Sequence, residues 1–286
     1  WEKAESTMQA QALGKALEKA GLKPEDLDIV LAGDLLNQCI GTSFCLRDFA
    51  VPFYGLYGAC STMGESLSLA ALLIDGGFSQ TAAAMTSSHY CTAERQYRMP
   101  VPYGNQRPPT AQWTATASGC TILGREGPGP YVTHVTRGKI VDKGIADTNN
   151  RGAAMAPAAY DTLSAFFRET KTSPKDFDRI FTGDLGELGH SIVLDWFRQD
   201  GVDLSANYFD CGLLLYDREK QDMHAGASGC GCSAAVLNGY ILPQLRAGVW
   251  QRVLFAPTGA LLSPVSSGQG ESIPGICHAV CLSVQR

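Results

Sequence analysis

The hydrophobic positions follow a helical period in some stretches and form short strand-like runs in others. From Trp1 to Ala20, Ala4, Met8, Ala12, Leu13, Ala16 and Leu17 recur at helical spacing, and Gly21 ends the run. Leu22 to Asp26 reads as a turn, and Leu27 to Ala32 as a short strand leading into Gly33-Asp34-Leu35. The small-residue turn Tyr57-Gly58-Ala59-Cys60-Ser61-Thr62-Met63-Gly64 opens a helix that runs to about Ile74, where Gly76-Gly77 breaks it. Thr81 to Met85 is predicted as a buried strand and Thr114 to Gly124 as another. Ser87 to Pro109 reads as irregular, and Gly127-Pro128-Gly129-Pro130 marks a boundary.

Beyond the boundary the pattern predicts a strand at Tyr131 to Val141, a Gly/Ala-rich loop and a helix from Pro157 to Glu169. A strand at Arg179 to Thr182 and helices at Leu188 to Gln199 and Gly231 to about Leu245 follow. Val253 to Ala256 and Gly275 to Val284 read as strands. The two parts repeat each other about 150 residues apart. Pro24-Glu25-Asp26-Leu27-Asp28 and Gly33-Asp34-Leu35 match Pro174-Lys175-Asp176-Phe177-Asp178 and Gly183-Asp184-Leu185. The helix after Cys60 matches the helix after Cys230, and Thr81 to Met85 matches Val253 to Ala256. Two similar α/β halves follow, residues 1–128 and 129–286, each alternating strands with helices around a mostly parallel or mixed sheet. The second half opens with a strand and the first with a helix, so the repeat leads us to expect a strand before Trp1.

With 286 residues, 45% hydrophobic and 18% charged, the chain can bury a large core. A net charge of -5 with no Lys/Arg run argues against a nucleic-acid partner. The longest apolar stretches, such as Leu69 to Ile74, are far short of a membrane span. The 10 cysteines include no C-x-x-C pair, so no metal site is expected, and they read as reduced thiols.

Cys60 stands where an extended segment hands over to a helix. The unpaired N–H groups there favour a thiolate, so a lowered pKa and a nucleophilic role are expected; a buried structural cysteine is the alternative. A second cluster lies in Ser87 to Arg107, where Arg95, Arg98 and Arg107 face the single acid Glu94 among Tyr90, Tyr97 and Tyr103, with Trp113 close behind. Forked cations beside aromatic faces suit a flat dianion. The alternative is a surface loop with an ion pair from Glu94 to Arg98 or Arg95. His89 follows a strand's C-terminal end, where α/β sites are usually built, or else it serves as a cap. His134 and His278 read as structural, and Asp34 and Asp184 as turn-formers.

The halves, with a cysteine heading the buried helix of the first, resemble the thiolase-like fold of thiolases and ketoacyl synthases, layered α-β-α-β-α. His224-Ala225-Gly226-Ala227-Ser228-Gly229 resembles a thiolase histidine turn, one residue short. Ser87 to Arg98, Thr110-Ala111-Gln112-Trp113-Thr114 and Gly270-Glu271-Ser272-Ile273-Pro274-Gly275-Ile276 resemble, more narrowly, the stage V sporulation protein AD family. That resemblance implies dipicolinic acid binding and its uptake into the developing spore. The implied partners are the membrane proteins of the spore dipicolinate channel, on the cytoplasmic side of the forespore or spore inner membrane.

Cys60, His89, Arg95, Arg98, Trp113 and His224 are the expected ligand-binding residues. Cys60 and His224 would be catalytic if the chain is an acyltransferase, with CoA as cofactor only in that case. The resemblance also implies gaps in such a site. Gly183-Asp184 stands where ketoacyl synthases carry a histidine, and Pro257-Thr258-Gly259-Ala260 lacks the second thiolase cysteine. Losing an acid/base group costs about two to four orders of magnitude in rate, which favours binding over catalysis. A homodimer paired through Thr81 to Met85 as an edge strand is also expected.

Overall fold

The computed structural model describes residues 1–97 and 107–286. Helix α1 (Glu2–Ala20) ends on Gly21 in the left-handed region, as its sequence predicts. The first sheet is built from β1 (Ile29–Gly33), β2 (Phe53–Gly55), β3 (Thr81–Ser88) and β5 (Ala117–Gly124), in the order β2-β1-β3-β5. Between these strands lie α2 (Ile40–Leu46), α3 (Thr62–Asp75), α4 (Tyr90–Tyr97) and the two-residue strand β4 (Trp113–Thr114). β1 pairs in parallel with β2 and β3, and β5 runs antiparallel beside β3.

The second part contains β6 (Tyr131–Thr136), α5 (Arg151–Thr170), β7 (Arg179–Thr182), α6 (Gly186–Gln199), β8 (Tyr208–Asp210) and α7 (Cys211–Leu214). It continues through β9 (Ala227–Ser228), α8 (Cys230–Val236), α9 (Leu242–Arg246), β10 (Arg252–Ala256) and β11 (Thr258–Ala260). It ends with α10 (Pro264–Gly268), β12 (Gly275–Cys277) and β13 (Ala279–Ser283). The second sheet has the order β6-β13-β10-β7-β8. Its strands β8-β7-β10-β13 repeat β2-β1-β3-β5 in order and in direction, with β13 antiparallel to β10 as β5 is to β3.

Alternating side chains divide the core into three layers. On β1, Ile29 and Leu31 face inward against Met63, Leu67 and Ala70 of α3, while Val30 and Ala32 face outward against Leu13 and Leu17 of α1. On β10, Val253 and Phe255 join the inner layer, and Leu254 and Ala256 pack against Leu163 and Phe166 of α5. Both faces of these strands are therefore covered, which accounts for their uninterrupted apolar runs. The inner layer holds α3 and α8 between the two sheets. Gly231 on α8 permits this closeness: a Cβ there would sit 2.3 Å from the Ala117 carbonyl oxygen of β5.

The repeat extends to the chemistry of the turns. Asp26 accepts from the Lys23 N–H at 2.8 Å, and Asp176 from the Ser173 N–H at 2.7 Å. Two residues past each turn's end, Asp28 ties down Gln80 and Thr81, and Asp178 ties down Gln251 and Arg252.

Several expectations are corrected. Ser87 to Pro109 is not irregular throughout: β3 runs on to Ser88, and α4 follows directly. The buried face of α4 carries Thr92 and Glu94 rather than an apolar stripe, so its period was hidden. The helix expected at Pro157 begins at Arg151, capped by Asn150, whose side chain accepts from the Ala153 N–H; Pro157 lies inside it. The strand from Tyr131 ends at Thr136, and Gly275 to Val284 is two strands, β12 and β13. Thr114 to Gly124 divides between β4, which pairs with β9, and β5. The helix after Gly231 is interrupted by a π segment at Leu237–Ile241. Thr81 to Met85 is no edge strand, because β3 is hydrogen-bonded on one side to β1 and on the other to β5.

Candidate functional site

Ala59–Ser61 forms a single 3-10 turn just ahead of α3, and Ala59 takes φ 50 within it. Cys60 is carried there at the floor of a cavity of about 240 Å3. Leu35, Met155, Ala260, Leu261 and Leu262 supply apolar walls. The polar lining comes from Cys60, Ser228, Arg151, Tyr57, Tyr97 and Ser263. β11 forms one side: a Cβ on Gly259 would lie 2.5 Å from the Gly58 carbonyl and 3.2 Å from the Cys60 nitrogen. The segment expected to match the second thiolase loop therefore does pack on the nucleophile turn, with Ala260 facing the cavity.

The expectation of a lowered Cys60 pKa is overturned. Burial pushes the thiol well above its ordinary value, and the Asp184 carboxyl beside it pushes it further. Arg151 and Ser228 offset this only in part. The turn's N–H groups cannot compensate for lost solvent at a side chain that is 8% exposed.

Asp34 and Asp184 occupy matching turns yet act differently. Asp34 accepts from Leu36 N–H, Thr42 N–H and Thr42 Oγ1, holding its own turn. In the second half Asp210 takes over that task, accepting from the N–H groups of Leu185, Gly186 and Gly212. Asp184 turns instead to the helix heads, accepting from Ser228 Oγ at 3.0 Å and the Gly229 N–H at 2.7 Å. Burial raises its carboxyl to about 7. The Cys60 Sγ and Ser228 Oγ lie 4.0 Å apart, so the cysteine, the serine and the acid form one group.

Two tyrosines close the cavity. The hydroxyls of Tyr57 and Tyr97 are 2.9 Å apart, and the Tyr97 hydroxyl donates to the Leu35 carbonyl. Among the described residues, the side chain of Arg151, the first residue of α5, donates to the Gln112 carbonyl at 3.4 Å.

Of the residues expected to bind ligand, Cys60 alone lines this cavity among those described. Arg98, like Tyr103, lies outside the described residues. Arg95 sits over the Trp1 ring, 5.8 Å from its centroid, in a separate cleft. His89 follows β3, and its carbonyl caps the first turn of α4 by accepting from Thr92 and Ala93. Its Nδ1 is buried without a partner among the described residues, and burial lowers its pKa.

Trp113 and His224 belong to a second cluster. The Trp113 ring stacks on Tyr90 at 5.8 Å and meets His224 edge-on at 6.3 Å. The Arg107 guanidinium lies 4.0 Å over the Trp113 ring and 3.1 Å from Glu94. Arg107, rather than Arg95, is thus a described ion-pair partner of Glu94, with Glu94 buried and Arg107 partly so. His224 Nδ1 lies 3.2 Å from the Pro108 carbonyl oxygen, and the ring does not reach the Cys60 cavity lining. Sequence reasoning missed Arg151 because Pro157 was taken as a helix start; the signal available was the Asn150 cap ahead of an alanine-rich run.

The fold is thiolase-like. 3-Oxoacyl-(acyl-carrier-protein) synthase III from Aquifex aeolicus superposes with a TM-score of 0.60 at 11% identity, covering 97% of this chain and 84% of that one. Xanthomonas campestris OleA gives 0.64 at 14% identity, covering 97% and 79%. The profile described as Stage V sporulation protein AD matches residues 1–283. Stage V sporulation protein AD of Bacillus subtilis (strain 168) is 45% identical over 280 residues, 98% of this chain and 82% of the relative. The chain belongs to the stage V sporulation protein AD family, and it is a sporulation protein of thiolase-like fold.

The raised Asp184 carboxyl makes stability depend on pH with a defined sign. Its proton is held more tightly in the folded chain than in the unfolded one. Its contribution is therefore complete below the ordinary carboxylate range and is lost as pH rises towards about 7. The loss is up to about 1.4 kcal/mol per pH unit in that window. Glu5, also raised to about 7 by burial, adds to the same slope. Asp184→Asn should flatten the decline in urea stability between pH 5 and pH 7 relative to wild type; equal slopes would contradict the assignment.

Proposed function

We propose that the chain binds dipicolinic acid in the Cys60 cavity and serves in its uptake into the developing spore, without catalysing a reaction. The observation that carries this reading is Arg151 standing at a small, largely apolar cavity whose thiol is kept neutral. A flat aromatic dicarboxylate needs one forked cation, polar groups for its second carboxylate and apolar walls for its ring. Arg151, the Tyr57–Tyr97 hydroxyl pair and the Leu35, Met155 and Leu262 side chains supply these. Family membership supports the sporulation setting. Under this reading no cofactor is needed, and the partners are membrane proteins of the dipicolinate channel at the inner membrane. No described helix is long and apolar enough to cross a membrane itself.

Acyl transfer through Cys60, with CoA as carrier, fits the cavity less well. A nucleophilic thiol needs a lowered pKa or an adjacent base of matching strength, whereas the Cys60 thiol is pushed well above its ordinary value and the Asp184 carboxyl beside it, raised only to about 7, is a weak base for it. His224 makes its contacts in the Trp113 cluster.

Calorimetric titration should give one saturable site for dipicolinate. Arg151→Met should weaken it about 10- to 100-fold, the loss expected for a charge-assisted hydrogen bond. Absence of saturable heat at millimolar ligand would overturn the reading.

We further propose a homodimer through the outer edge of β2, where Tyr54 is 60% exposed and Tyr57 and Phe44 are also exposed. Light scattering should show a dimer at micromolar concentration and a monomer for Tyr54→Asp. A monomeric wild type would contradict this.

A further inference from the structure

The Cys60 cavity is backed by a carboxyl whose hydrogen bonding is incomplete. Asp34 and Asp210, the other buried acids of these turns, receive donors on both oxygens. Asp184 is fully buried and receives Ser228 and Gly229 on Oδ2; among the described residues Oδ1 has no partner at ordinary hydrogen-bond distance, although the Cys60 thiol faces the carboxyl. Each element packed around it presents a chargeable or polar group. Cys60 faces it from the turn before α3, and Ser228 and Gly229 from the approach to α8. Asp210 faces it from the end of β8, Cys211 from α7 and Cys232 from α8. Arg151 of α5 acts on the cavity side, at Cys60. An arriving carboxylate would thus meet one guanidinium in front of a buried pair of acids.

We propose that this cavity admits a small aromatic carboxylate only together with one proton, which Asp184 takes up, so that binding is proton-coupled through this residue. The inference rests on the Cys60 cavity being the anion site. Oδ2 must stay an acceptor for Ser228 and Gly229, so the proton goes to Oδ1. The charge behind the cavity is then removed, and Arg151 balances the ligand. Cys60 and Ser228, which line the cavity, meet the ligand with no anion behind them. Asp184 is absent from the lining and acts through these two, as a positioning residue. A neutral molecule of the same shape would bind without the proton.

The test is titration with dipicolinate from pH 6 to pH 9 in two buffers of different ionisation enthalpy. The ligand's carboxylates are ionised throughout this range. Wild-type affinity should fall about tenfold per pH unit above about pH 7, with close to one proton taken up per ligand. Asp184→Asn should show a flat profile, no proton uptake and tighter binding than wild type at pH 8.5, a gain that misfolding cannot mimic. Binding by wild type without a pH slope, or a slope retained in Asp184→Asn, would overturn the proposal.

A second readout does not depend on dipicolinate. The ratio of iodoacetate to iodoacetamide alkylation at Cys60, resolved by peptide mass spectrometry, cancels the thiol's own ionisation. It should fall above about pH 7 in wild type and stay level in Asp184→Asn. If dipicolinate fails to bind while this ratio falls, the ligand assignment fails and the proton coupling stands. A level ratio in wild type overturns the coupling whatever dipicolinate does.

Discussion

The close approach of backbone at the heads of two buried helices governs this molecule. α3 and α8 lie between the sheets; the turn ahead of α3 carries Cys60 and the first turn of α8 carries Cys230 into the interior. Glycine at 231 lets α8 meet β5, and glycine at 259 lets β11 press on the Cys60 turn. A side chain at either position would force the layers apart and remove the cavity wall or its floor. The same closeness strips water from Cys60 and Asp184, which is why both the thiol and the acid are pushed towards their neutral forms. Packing therefore decides the chemistry of the site before any ligand enters it.

Much of the architecture is legible in the sequence because the repeat writes it twice. The strands at Ile29 and Arg179, the Asp26 and Asp176 turns and the helices after Cys60 and Cys230 follow from residue patterns alone. What escaped has physical causes. α4 buries Thr92 and Glu94, whose pairing with the Glu5, Thr114 and Arg107 side chains a hydrophobic period cannot reveal. α5 accepts Pro157 in its interior, so the helix start at Arg151 was displaced by two turns. The site was read less well than the fold. Cys60 was found from its turn, but Arg151 and Ser228 reach it from α5 and β9, and only the folded chain brings these segments together.

Asp184 shows how far two repeats can diverge on one backbone. Its counterpart Asp34 holds a turn, while Asp210 relieves Asp184 of that duty and leaves it to bridge Ser228 and Gly229. A neutral thiol, a buried acid and the Arg151 guanidinium suit the proposed anion receptor better than a nucleophilic site. On the proposed reading, the polar groups of this cavity suit retention of a ligand rather than turnover.

On the proposed reading the ligand sits on Cys60 and Arg151 rather than in the Trp113–His224 cluster. A crystal structure of the protein soaked with dipicolinate should then show ring density in the Cys60 cavity, with one carboxylate on the Arg151 guanidinium and the other near the Tyr57 and Tyr97 hydroxyls. Ligand stacked on Trp113, with the Cys60 cavity empty, would contradict it.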